Sequence, residues 1–409
     1  MSGAAALTAR SVSIREASKA SRGRNGGAPA LFSESFRPFF LLAGLWAAVA
    51  IPVWLAAYAH GYALRGSLHA MAWHAHEMVF GFGLAAVAGF LLTAIPNWTG
   101  RLPLRGASLA GLAALWLAGR LALLLSAAIG PVASAAIDLL FPSVLLAAVA
   151  RELIAGRNWR NLPMLAALGL LLGANALVHV QAIGIAYTAD IGNRLGIATL
   201  LALIALVGGR IVPSFTRNWL AKASPDLPPP APMDRFDAAA LAAVLAGLTA
   251  WVAVPETRVA AVLQVVAGAA AGFRLSRWRG LATLREPLVF VLHAGYAWLA
   301  FGLAYLGLNG LFAWAPGGPL HALTVGAIGT MTLAVMTRAT LGHTGRPLAA
   351  TSATVAIYAL VALAALRVAA PLSGPYNVLL TTLAGATWTG AFALFVLYFG
   401  PMLLRPRAG

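Results

Sequence analysis

Hydrophobic positions along this chain do not alternate, and they seldom recur at helical spacing. They run unbroken for long stretches, with polar residues gathered in short clusters between them. A run of about 20 apolar residues is what a helix needs to cross hydrocarbon. About twelve such runs can be marked by that criterion, at roughly 38–59, 73–96, 106–127, 132–151, 161–182, 193–213, 235–254, 257–273, 286–308, 318–338, 350–369 and 376–402. The pattern predicts an all-α polytopic membrane protein of about 12 transmembrane helices. Apolarity all round means that each helix faces protein or lipid on every side.

Composition sharpens this picture, because 61% hydrophobic residues with only 10% charged residues lies outside the range of soluble chains. The net charge of +17 would point to nucleic acid in a soluble protein. Its placement gives another reason, and no nucleic-acid partner is expected. Of the 28 Lys and Arg residues, nearly all fall on alternate connections, and the remaining connections hold only Arg65, Arg194, Arg258 and Arg367. By the positive-inside rule this predicts an even number of spans in a bacterial inner membrane, with both termini cytoplasmic. Residues 1–35 are basic, rich in Ser, Ala and Gly, and lack the apolar stretch of a secretory signal. They read as a flexible cytoplasmic tail, leaving 36–409 as one transmembrane domain. The proline-rich stretch 222–232 reads as an extended linker between the sixth and seventh spans.

A repeat underlies the spans. His76 precedes Thr99-Gly100-Arg101 by the spacing that separates His321 from Thr344-Gly345-Arg346, and Gly81 then coincides with Gly326. The sixth span ends in a related phrase, Pro213-Ser-Phe-Thr216-Arg217, and equal counting back from Thr216 reaches Asn193. Spans one, five and nine begin at Pro38, Pro163 and Pro287, which suits the first helical turn. The implied unit is four helices repeated three times, although Pro and Gly are common at helix ends in any protein. By fold analogy alone, such a chain is similar to the catalytic subunit of haem-copper oxidases.

Within these spans lie six of the eight histidines: His74, His76, His179, His293, His321 and His343. Imidazole is costly in lipid unless a metal, cofactor or polar partner takes its nitrogens. With no cysteine in the chain, all six are candidate metal or cofactor ligands, and histidine suits haem iron and copper. In Trp73-His74-Ala75-His76-Glu77-Met78, a regular helix points His74 and His76 about 200° apart, which favours two neighbouring sites over one shared ion. Glu77, three residues from His74, can orient that imidazole, ligate a metal or relay a proton, so His74 and Glu77 are the candidate catalytic residues. The alternative is an interfacial cluster solvated by headgroups.

Topology gathers His74, His76, His179 and His321, with Glu77 and Asn193, in the outer leaflet. Four imidazoles suffice for one bis-histidine haem plus a second haem or a copper site, and their pairing is open. His60 and His69 read as solvent-exposed. In the inner half, His293, His343, Arg210 and Arg338 can hold a second cofactor whose propionates pair with the guanidinium groups. Ordinary roles compete with this, since His343 can cap a helix C-terminus and the arginines can be positive-inside anchors. Arg120 and Asp138 stand at similar depth on consecutive spans and are expected to pair, with contact between Arg120 and a haem propionate as the alternative. The chain has no phosphate-binding loop, nucleophile elbow or dinucleotide fingerprint, so nothing supports nucleotide-driven chemistry.

Set in order, these phrases resemble the NnrS family of bacterial membrane proteins. The matching stretches are Ser35-Phe-Arg-Pro-Phe-Phe-Leu-Leu-Ala-Gly44, Trp73 to Met78, Gly89-Phe-Leu-Leu-Thr-Ala-Ile-Pro-Asn-Trp-Thr-Gly100, Gly208-Gly-Arg-Ile-Val-Pro-Ser-Phe-Thr216, His321-Ala-Leu-Thr-Val-Gly326 and Arg338 to Arg346. The resemblance implies a polytopic protein containing haem, one or more of b type, and copper, associated with denitrification and the response to nitric oxide. Carried over by residue, it points at His74, His76, Glu77, His321 and His343. It implies nitric oxide as ligand or substrate and leaves open binding, reduction with quinol-derived electrons, or detoxification. Two other classes compete: a proton-coupled secondary transporter, and a non-catalytic haem or copper protein for storage or sensing. The topology is testable directly. Reporter fusions at Arg65 and Lys222 are expected on opposite sides of the membrane, and both on one side would contradict it.

Overall fold

The computed structural model describes residues 29–64, 66–314 and 317–408. Among them, 12 helices are long and apolar enough to cross a membrane, and there is no strand. They are α1 (Phe36–His60), α2 (Ala70–Thr99), α3 (Gly106–Leu124), α4 (Pro131–Ala155), α5 (Trp159–Ala182), α6 (Ala189–Ala223), α7 (Arg235–Ala253), α8 (Arg258–Ser276), α9 (Pro287–Phe312), α10 (Gly318–His343), α11 (Ser352–Leu372) and α12 (Gly374–Leu404). The protein is an integral membrane protein. Of the expected tail 1–35, residues 1–28 lie outside the described residues. Its last residues are not loose: Ala30–Phe32 form a 3₁₀ turn, and buried Ser35 donates to Leu104 O at 2.9 Å. A hydroxyl with a backbone acceptor to meet is better placed against the bundle than in solvent.

Local chemistry sets the helix ends. Asp234 and Asp237 form a reciprocal capping box at α7, and Thr257 and Thr351 cap α8 and α11. Pro163 stands at the start of the α-helical part of α5, Leu162–Ala182, and Pro287 and Pro38 stand in the first turns of α9 and α1, as expected. The stretch 224–234 is non-helical, as its prolines require, and Ala231 N bonds Arg277 O at 3.3 Å. Beside it, Arg277 pairs with Asp234 at 2.5 Å and holds that exposed carboxyl well below the usual carboxylate range.

The helix pairings recur every four spans. Helix α1 packs on α2, α5 on α6 and α9 on α10; α3 packs on α4, α7 on α8 and α11 on α12. The units join in the same way, α4 to α5 and α8 to α9, and α12 returns to α1 to close the ring. This is the packing that a threefold repeat of four helices requires.

A second feature singles out the helices expected to be equivalent. Partway along, α2, α6 and α10 pass from α to π winding, over Glu77–Gly83, Ile204–Gly208 and Ala322–Gly329, and no other described helix does so. Helix α6 packs against both α2 and α10, so the three stand together at the centre. π turns are uncommon, frequently functional, and disturb the backbone ladder. Here neighbouring side chains supply extra bonds: Trp116 Nε1 donates to Gly81 O at 3.0 Å, and Arg274 Nη1 donates to Ala205 O at 3.2 Å. Glycine is needed where partners press closely. A Cβ on Gly326 would lie 2.6 Å from the Trp298 ring, and one on Gly81 would lie 2.7 Å from Glu77, Arg120 and Trp46 atoms.

Arg37 and Trp388 add hydrogen bonds to the packing that closes the ring, Trp388 Nε1 donating to Ala47 O at 3.0 Å. The Arg37 side chain is buried, and its Nη1 donates to the carbonyls of Met402 (3.3 Å), Leu403 (3.0 Å) and Arg405 (2.6 Å) at the end of α12. These are carbonyls that a helix terminus leaves without intrahelical donors. Arg37→Met keeps most of the volume and removes the donors. It is expected to lower unfolding stability in detergent by about 1.5–3 kcal/mol, the range for a hydrogen bond to a charged group. An unchanged denaturation midpoint would contradict this role.

Candidate functional site

Two polar assemblies share the face opposite the one that carries both ends of the bundle. The first is a closed network among α1 to α5. Its members His76, Glu77, Arg120, Asp138, Asn175 and His179 are all buried. Glu77 Oε2 accepts from Trp46 Nε1 at 2.6 Å and from Arg120 Nη1 at 2.8 Å, while Glu77 Oε1 lies 3.3 Å from His76 Nδ1. Arg120 Nη2 donates to Asp138 Oδ1. The other oxygen, Asp138 Oδ2, meets Asn175 Nδ2 at 2.8 Å, His179 Nε2 at 3.0 Å and His76 Nε2 at 3.3 Å. Asn175 Oδ1 completes the set at 2.8 Å from His76 Nε2.

The charge count of this network matters. Two carboxylates face one guanidinium, so with neutral imidazoles one negative charge remains in a dry region. A proton taken up by the imidazole–carboxylate cluster, or a bound cation, neutralises it. His76, Asp138 and His179 each offer a donor atom, and these atoms lie within 4.8 Å of one another. Two imidazole nitrogens and a carboxylate oxygen suit copper or zinc.

The second assembly is a cavity of about 490 Å³ on the axis between α2, α6 and α10. That is ample for a small-molecule ligand. His74 and His321 both line it, with Asn193 and Arg194 from α6 and Arg367 from α11. Its apolar lining includes Trp54, Met78, Phe82, Trp251 and Trp388. His74 stacks on Trp54 with ring centroids 4.3 Å apart. His321 Nδ1 lies 2.7 Å from Gly317 O, so Nδ1 carries the proton and Nε2 keeps its lone pair. A carbonyl that fixes the tautomer in this way is the usual support of a metal-ligating histidine. The network leaves only Arg120 Nε buried without a hydrogen-bond partner, whereas around the cavity His74 Nδ1, Asn193 Oδ1, Arg194 Nε, Arg367 Nε and Nη1, and Thr381 Oγ1 are all buried without one.

A narrower cavity of about 100 Å³ continues along the same three helices, and Leu200 and Ile328 line both. Its walls are almost wholly apolar, from Phe40 and Phe90 to Met331 and Met336.

Sequence expectations fare unevenly against this geometry. His74 and His76 do point to separate sites. Glu77 does not orient His74; it bonds His76, Arg120 and Trp46. The chain changes to π winding at Glu77, so the regular 100° step per residue does not carry across that point. Arg120 is not left for a propionate, because two carboxylates hold it. The inner set is spread over several contacts, with His293 and Arg338 meeting adjacent residues of α6. His293 is buried with Nε2 on Thr216 Oγ1 at 2.8 Å, whereas His343 is exposed against the Phe36 ring. Arg210 is exposed, and Arg338 lies over the Phe215 ring at 4.0 Å. His293 Nδ1 is buried without a hydrogen-bond partner, so of this set His293 alone keeps an unsatisfied ring nitrogen. His60 and His69 are exposed, as expected, with His69 at the N-cap of α2. Sequence reasoning missed Asn175, whose spacing of four residues from His179 puts both on one helix face, and it missed the cavity role of Arg194 and Arg367.

The NnrS protein family model matches residues 30–407, nearly the whole chain. The chain belongs to the NnrS family. No curated protein matches it. The NnrS phrases singled out in the sequence supply both assemblies: Trp73 to Met78 carries His74 into the cavity and His76 with Glu77 into the network, and the phrase starting at His321 faces His74 across the cavity.

The network should behave as a unit. Arg120→Met leaves two uncompensated carboxylates and is expected to destabilise the protein by about 3–5 kcal/mol. Adding Asp138→Asn to that variant should restore part of the loss. Equilibrium unfolding in detergent measures both, and strictly additive effects would show that the residues are not coupled.

Proposed function

We propose that this NnrS protein binds haem in the axial cavity and takes up nitric oxide there, in the bacterial inner membrane with both termini cytoplasmic and the cavity in the outer leaflet. One observation carries the reading: two histidines from helices at equivalent places in the repeat open into a single unsatisfied cavity, and one of them has its tautomer set for metal ligation. The residues that would hold haem are His321 through Nε2 and His74. Haem supplies an iron centre to which nitric oxide binds. The tryptophan-rich walls exclude water around the group. Nitric oxide is small and apolar, so it needs no aqueous channel, and the apolar continuation of the cavity suits its passage.

His76, Asp138 and His179 are the donors that would hold copper, the second metal implied by the family resemblance; a monovalent copper ion would cancel the single negative charge of the network, and a divalent one would leave one positive charge. Without metal, the same groups hold a proton. Reduction of nitric oxide would draw electrons from a quinol or another membrane donor. Binding without turnover would make the protein a sensor or store. A proton-coupled carrier built from two six-helix halves is disfavoured, because the pairings recur every four spans.

Purified protein, reduced anaerobically and exposed to nitric oxide while spectrum and gas are recorded, tests the reading. A haem absorption band that shifts on nitric oxide is expected, and nitrous oxide formation would identify a reductase. His321→Ala and His74→Ala should each lower haem content or alter the band while insertion is kept, since membrane helices are held by many distributed contacts. Unchanged haem spectra in both variants would sink the assignment, and a folded wild-type protein without iron would return the carrier to first place.

A further inference from the structure

Four arginines stand against the positive-inside pattern, and two of them line the same cavity. Arg194 lies in the first turns of α6 and Arg367 in the last turns of α11, and both line the space into which His74 and His321 open. Topology gives no reason for arginine on this side, where positive charge is generally sparse. Nor do the arginines serve each other's surroundings as ion pairs: among the described residues neither joins a carboxylate, although the exposed Asp190 also lines the cavity. Arg194 Nε, Arg367 Nε and Arg367 Nη1 are instead buried with no hydrogen-bond partner. Guanidinium nitrogens deprived of both water and a partner are expensive in low dielectric, and these two half-buried side chains hold three of them. Arg120 and Arg274, by contrast, are paired with buried carboxylates.

We propose that Arg194 and Arg367 form the acid-binding end of the cavity. Its ligand then has a broad apolar body lying among the tryptophans and carboxylate groups at one edge, where the two guanidinium groups receive them. Planar guanidinium donors match carboxylates in geometry as well as charge. The proposal deepens the haem reading and rests on it, since a porphyrin with two propionates belongs to this ligand class. A free fatty acid offers the same chemistry to the arginines, and the experiment separates the two sources. Electrostatic balance also favours a doubly acidic ligand, which would offset both cations.

The test compares haem with its dimethyl ester, which keeps the porphyrin and iron but removes both acids. Each is titrated into cofactor-depleted wild-type protein, Arg194→Gln, Arg367→Gln and the double variant, and absorbance reports binding. Wild-type protein is expected to prefer haem over the diester by at least about tenfold, the equivalent of one charge-assisted hydrogen bond. The double variant should lose that preference while keeping wild-type affinity for the diester, which also reports an intact fold. If wild-type protein binds haem and diester alike, the acid-binding role is overturned and the haem reading survives. Variants that keep the wild-type preference would overturn the role equally. If wild-type protein takes up neither porphyrin, the haem reading fails, and titration with oleate decides. Uptake that depends on both arginines would then support an acid site for a lipid carboxylate, and no uptake would overturn the site itself.

Discussion

A charge inside an apolar bundle must find its opposite within the protein, and Arg120 is where this requirement shapes the molecule most. Its guanidinium joins Glu77 of α2 to Asp138 of α4, and through those carboxylates it reaches Trp46, His76, Asn175 and His179. Five consecutive helices are tied by one buried network. The second repeat solves the same problem with the charges exchanged: Asp237 comes from α7 and Arg274 from α8, with Tyr296 of α9 as a further partner. The third has no carboxylate on the corresponding helices: Thr337 of α10 bonds Tyr358 of α11 at 2.6 Å, and the cation of α11, Arg367, lines the cavity. Each repeat thus fastens its helices by polar contacts worth more than dispersion alone, while their different chemistry lets one framework hold unlike sites.

The axial helices show the other consequence of the repeat. Helices α2, α6 and α10 carry the π turns and line both cavities. Near the start of α2, two residues separate the protein's two polar environments. His76 enters a network in which both ring nitrogens have partners, and His74 enters a cavity in which Nδ1 has none. A network whose members nearly all have partners holds geometry; a cavity with many unpartnered polar atoms is built for something that completes it. That contrast is why the proposed cofactor site lies with His74 and His321, and the residues around His76 are given a supporting or second-metal role.

Much of the fold was legible because membrane helices announce themselves by unbroken apolarity, and because the spacing from His76 to Thr99 returned between His321 and Thr344. The Arg120–Asp138 pair was legible for the same reason: isolated charges in such runs must meet. The site was harder to read. Glu77 was misdirected because a π turn has no sequence period of its own, and helical angles fail across it. His293 and His343 looked like a pair only because they share a leaflet; packing gave one to Thr216 and the other to the surface beside Phe36. Arg194 and Arg367 were visible as exceptions to the charge pattern, but nothing in their neighbours' identities announces a cavity. The fold brings them from different repeats to the wall of one cavity.

The central claim is that the axial cavity is completed by a planar, acid-edged haem held between α2, α6 and α10. An experimental density map of the protein purified gently from its own membrane tests this most directly. The account predicts planar density in the cavity, with His321 Nε2 directed at its centre, His74 beside it, and its acidic edge against Arg194 and Arg367. A cavity filled by acyl chains or water, with the iron found elsewhere or not at all, would contradict it.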